Sequence, residues 1–269
     1  MRALVAAALL WLMAGPALAD ARMTVLVDLL GVQNAAQIMR AEGMDHAQEL
    51  NTDMLGGQGG PGWEVQVEVI YDTARMVEQV RGALEEHLTT DTLEAAIAFY
   101  ASDLGRQIVT LENTARAAIS HPDVEAAART SYADIEGSDA PRLAQITALV
   151  ENGDMINRNV TNALNANFEF MRGLRDGDAL RGGDEELLGD VTADIYSVTQ
   201  DTVSWLYGYM LMAYSPLDAD DLSGYVAFSN TDAGRAVNAA LFDGFGQTYE
   251  DISYALGRAV AMNMTAQDL

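Results

Sequence analysis

The chain has no cysteine. Without thiols there is no disulfide framework and no cysteine nucleophile, so apolar burial alone must hold the fold. Lysine is also missing: all 15 basic residues are arginine, set against 40 acidic ones, for a net charge of -25. Such an excess repels the phosphates of nucleic acids and anionic lipid headgroups, and excludes both as partners. The acids are spread along the chain, as on solvated helix faces. Histidine is reduced to His46, His87 and His121, at no ligand-pair spacing, so a histidine metal site has no support. His87, in "LEEHLTTD", reads as a surface or capping residue near a helix end. No Gly-x-Ser-x-Gly elbow offers a serine nucleophile. Past residue 20 the longest apolar run, Val203 to Tyr214, is too short to span a bilayer.

What is present begins with residues 1–19. They carry one cation (Arg2), an apolar run from Ala3 to Ala14, and Ala17-Leu18-Ala19 before Asp20. This is the build of a cleavable secretory signal. It predicts cleavage between Ala19 and Asp20, and a periplasmic product with no transmembrane segment in its mature chain.

The apolar spacing beyond is helical. Leu104, Ile108, Leu111 and Ala115 form one stripe, and Val237, Leu241, Phe245, Tyr249, Ile252, Leu256 and Val260 another. Gly244 and Gly246 inside the second are candidate bend points. "WEVQVEVIYD" alternates like a strand, yet Trp63, Val67, Ile70, Ala74, Val77, Val80 and Leu84 also fit one helix face, and helix is the reading adopted. Asp72-Thr73 and Asp201-Thr202 match at an offset of 129 residues. The fold class predicted is all-α.

That offset recurs. "AFYASDLGRQIV" (98–109) and "AFSNTDAGRAVN" (227–238) repeat one phrase, and seven of nineteen positions agree between 91–109 and 220–238. The period is too long for a solenoid of small repeats. It predicts a first helical-bundle-like domain over 20–138 and a second over 139–269, in a chain long enough for one core or two. The linker lies near Ser138 to Pro141, where Asp139 is placed to cap the next helix and Pro141 sits in its first turn.

Each phrase reads as a tight corner between two helices. Phe99 and Phe228 end the first helix as buried anchors; Ser102 and Thr231 cap the second, and Asp103 and Asp232 complement its dipole. Gly105 and Gly234 then fall in a first turn, where glycine is costly unless another backbone comes close. Arg106 and Arg235 have two readings: an ion pair tying the corner to an acid on a neighbouring helix, or a clamp for an anionic ligand. An aromatic pair, a small residue, Ser or Thr, and Gly two residues on resembles a family of secreted bacterial helical proteins known as domain of unknown function 2059. There the pattern is Phe-Tyr-x-Thr-Pro-x-Gly. Here Asp103 and Asp232 replace the proline, and Ser229 the second aromatic. The resemblance implies two tandem copies of that helical unit and implies no activity.

No residue pattern singles out a catalytic, cofactor or metal site. "DGDALRGGDEE" lacks the ligand at position 5 and glycine at position 6 of a calcium loop. The Trp205 to Tyr214 run reads as core. The expected function is a non-enzymatic binding or interaction module of the cell envelope, with a protein or small ligand as partner. The alternative is a hydrolase using carboxylates in a groove between the repeats. An apolar groove favours the first, and two acids converging in a polar cleft favour the second.

Overall fold

The computed structural model describes residues 20–267, so residues 1–19, on which the expectation of a cleavable signal falls, lie outside the described residues. Every regular element among them is an α-helix: α1 (20–29), α2 (Val32–Leu55), α3 (Gly60–Ile70), α4 (Thr73–His87), α5 (Thr90–Tyr100), α6 (Asp103–Ile119), α7 (Pro122–Ala133), α8 (Pro141–Asn152), α9 (Met155–Asp176), α10 (Asp184–Thr192), α11 (Ile195–Ala213), α12 (Ala219–Ser229) and α13 (Asp232–Gln267). None is long and apolar enough to cross a membrane.

Local chemistry sets these boundaries. Asp72 accepts from the backbone N–H of Ala74 at 2.8 Å, and Asp218 from those of Asp220 and Asp221. Thr89 and Thr92 close a reciprocal capping box. Each uses a side-chain oxygen to satisfy first-turn donors that have no partner within the helix. Two boundaries differ from expectation. The stripe over 63–84 is helical but breaks at Tyr71, because Asp72 caps a new helix; its counterpart Asp201 lies inside α11. Ahead of Pro141 the cap position is Ala140 rather than Asp139.

The core is shared between the two halves. One cluster joins Ile108, Ala115 and Tyr132 to Leu143, Ile146, Met210 and Leu222. A second joins Met39, Trp63 and Met76 to Leu174, Leu256 and Val260, and a third joins Leu26, Val80 and Leu93 to Val237 and Ala240. Reciprocal packing produces this: α13 lies along α4, while α11 lies along α6 and α7. Helices from both sides of residue 139 thus pack into common clusters.

Two close backbone approaches fix the frame. A methyl on Gly105 would collide with the carbonyl of Phe99 and lie 2.6 Å from the Cα of Tyr100; one on Gly234 would collide with the carbonyl of Phe228 and lie 2.8 Å from the Cα of Ser229. Both corners therefore require glycine. Farther along, α9 and α13 cross where Gly173 meets the Tyr254 carbonyl and Gly257 meets that of Phe170. This crossing sets how α9 runs beside the middle of α13.

Candidate functional site

The corners are closed on themselves. Ser102 Oγ accepts from Gly105 N at 3.1 Å, and Thr231 Oγ1 from Gly234 N at 3.0 Å. Arg106 pairs with Asp103 at 2.6 Å and Arg235 with Asp232 at 2.7 Å, each also donating to a corner carbonyl, Ala101 or Asn230. The acid is thus on the arginine's own helix, three residues back, and not on a neighbour. Phe99 and Phe228 are half-buried rather than fully buried, and they stack on each other at 3.7 Å and 1°. Of the ten motif residues only Phe99 and Phe228 touch across the two corners, and the rest brace their own corner. His87 closes α4 and pairs with Asp243 of α13 at 2.8 Å.

A groove lies elsewhere, along the middle of α13. The stripe that buries Val237 and Val260 runs between them through Leu241, Phe242, Phe245 and Tyr249, which floor a cavity of about 520 Å³. Val32, Ala35 and Met39 of α2 form one wall. Asn159, Asn162, Ala163 and Ala166 of α9 form the other. A second cavity of about 510 Å³ adjoins it, sharing Met39, Arg116, Ala166 and Tyr249. The space exists because α9 turns short side chains toward α13: 159, 162, 163 and 166 follow helical spacing, but asparagine and alanine cannot fill what leucine would. Both halves of the chain contribute, and most of the lining is apolar.

Three α6 residues supply the polar end. Arg116 reaches Glu42 of α2 at 2.5 Å and lies 5.4 Å from the centre of the Trp205 ring. Glu112, one helical turn earlier, has no cation among the described residues. Its Oε1 accepts from the phenols of Tyr214 at 2.6 Å and Tyr225 at 3.1 Å, while Tyr209 donates to its backbone carbonyl. Burial raises the Glu112 carboxyl above the ordinary carboxylate range, against the pull of the two phenols. Burial pushes Tyr214 and Tyr225 well above a normal phenol, with the Glu112 charge adding to it. Glu42 is raised by burial and lowered by Arg116, and its Oε1 is buried without a hydrogen-bond partner.

The two acids of the groove therefore have separate attachments, one to an arginine and one to tyrosines. Among the described residues no group of three or more acids and histidines is placed to hold a metal ion. The Trp205 to Tyr214 run serves two ends: Met210 and Leu211 are core, and Tyr209 lines the groove.

Residues 74–129 match one family. It is described as "Uncharacterized protein conserved in bacteria (DUF2059)", and the matched stretch spans α4 to α7, including the first corner and Glu112. No curated protein and no solved structure matches the chain. The groove went unread in the sequence, although a signal existed in "NRNVTNALNANF": five asparagines between 157 and 167 on a helix with few large apolar residues. Glu112 had none, being one acid among 40.

Proposed function

We propose that the protein is an exported, non-enzymatic binding module of the bacterial envelope that holds an apolar small ligand in the groove along α13. The observation that carries this reading is the groove itself: two adjoining cavities of about 520 and 510 Å³, floored by Leu241, Phe242, Phe245 and Tyr249, with a few polar groups at one end. Sites for small ligands have this volume and this mixture. Tyr249 keeps 36% of its surface exposed, an uncommon state for an aromatic ring on the inner stripe of a long helix. A ligand would cover it.

The proposal includes a duplicated origin, in which two copies of one helical unit exchanged helices and left the groove between them. The repeated phrase and the matched corner distances support it. Export through residues 1–19 and residence in the periplasm rest on the form of that segment.

The test is titration with N-phenyl-1-naphthylamine, a neutral dye that fluoresces in apolar surroundings. Saturable enhancement near one equivalent is expected, and Leu241→Trp, which fills the floor, is expected to abolish most of it. An absence of enhancement, or an equal response from the Leu241→Trp variant, would refute the reading.

A further inference from the structure

The groove's polar end carries several acceptors that no described donor reaches. Asn113, Asn159 and Asn162 each spend an amide N–H on a backbone carbonyl, those of Val109, Met155 and Phe242. No described donor reaches their Oδ1 atoms. At Glu112, both phenols converge on Oε1, and no described donor reaches Oε2. Arg116 is four residues along the same helix, the position from which an arginine normally pairs with a glutamate, yet it turns to Glu42. The wall therefore presents free acceptors and one carboxyl with no counter-ion, next to the rings of Tyr209, Phe242 and Phe245. A carboxyl kept out of water is costly unless something pairs with it. Aromatic faces beside it favour a cation over any other partner.

We propose that the ligand is an amphipathic amine, whose apolar body fills the groove and whose ammonium group is seated on Glu112. This deepens the binding reading above and rests on it. A fatty acid or other amphipathic anion would bring its carboxylate to unpaired acceptors, and the Arg116 charge is already balanced by Glu42, to which it gives one N–H. A neutral alcohol would satisfy one acceptor and leave the carboxyl without a counter-ion. Burial disfavours the charged form of the Glu112 carboxyl, and an ammonium beside it offsets that cost.

Octylamine, octanol and octanoate, alike in chain length, separate the possibilities by displacement of bound N-phenyl-1-naphthylamine. The buffer is about 0.15 M salt at neutral pH, which screens the general negative charge of the surface. Octylamine is expected to compete at least about tenfold better than octanol, with octanoate weakest. Glu112→Gln keeps an acceptor for the two phenols and changes the net charge by only one. It is expected to remove most of the octylamine advantage and leave octanol within about twofold, with helicity by circular dichroism unchanged. Equal competition by octylamine and octanol, tighter binding of octanoate, or an unaltered octylamine advantage in Glu112→Gln would each overturn the amine assignment while the dye result kept the groove. Failure of the dye itself to bind would overturn both.

Discussion

Replacing Gly105 with alanine sets two effects of opposite sign against each other. Alanine is the better helix former by about 1 kcal/mol, and also restricts the unfolded chain, so on an open helix surface the change would stabilise. At this corner the added methyl collides with the Phe99 carbonyl and comes within 2.6 Å of the Tyr100 Cα. Both are backbone atoms held by α5, so neither can rotate away as a side chain would. Against fixed backbone atoms the overpacking cost belongs in the upper part of the usual range, about 2–3 kcal/mol, and subtracting the propensity gain of about 1 kcal/mol leaves a net loss of about 1–2 kcal/mol. For a chain of this size that is a fall in melting temperature of about 2–8 °C. The same holds for Gly234→Ala, whose methyl meets the Phe228 carbonyl. Separate domains would make the two losses additive. Here the Phe99 and Phe228 rings stack at 3.7 Å, so displacing one corner disturbs the other, and the double variant should depart from additivity by about 0.5 kcal/mol or more. Thermal and urea unfolding followed by circular dichroism reads all three quantities. If both single variants melt at or above the wild-type temperature, the corner is not a close contact and the reasoning fails.

Phe99→Leu and Phe228→Leu, combined in a double-mutant cycle, should show a coupling of about 0.5–1.5 kcal/mol in urea unfolding. Glu112→Gln should change how stability depends on pH. A carboxyl raised in the folded state binds its proton more tightly than in the unfolded chain, so its contribution is complete below the ordinary carboxylate range and is lost as pH rises through the raised value. Removing the carboxyl should therefore flatten the decline in stability over that window, as measured by urea midpoints at a series of pH values. Intact mass of the exported protein should correspond to a chain beginning at Asp20, and a mature form retaining residues 1–19 would contradict export by cleavage.

The helical class was legible because its signals, capping included, are local. Ser102 and Thr231 act on N–H groups three residues away, whereas Arg106 and Arg235 pair with acids three residues back on their own helix and not with the neighbouring-helix acid expected of them. What was not legible depends on partners distant in sequence. The stripe on α13 predicts burial equally for Val237, which is buried, and Tyr249, which faces the groove. Only the short side chains of α9, some 80 residues earlier, separate the two outcomes. The packing of α13 on α4 and of α11 on α7 was hidden for the same reason, since the partners lie far apart in sequence. Glu112 gains its character from Tyr214 and Tyr225, more than 100 residues later.

Met39 offers the most direct test, because it lines both cavities, while Met23 is buried in the cluster with Leu26 and Leu93 and Met262 is exposed near the end of α13. With the methionine methyl groups isotopically labelled, N-phenyl-1-naphthylamine should be titrated and each methyl resonance followed by NMR. The account predicts that the Met39 methyl shifts saturably near one equivalent of dye while those of Met23 and Met262 stay in place. A stationary Met39 with a moving Met262 would mean adsorption to the outer surface, and would contradict the claim that the groove is a binding site.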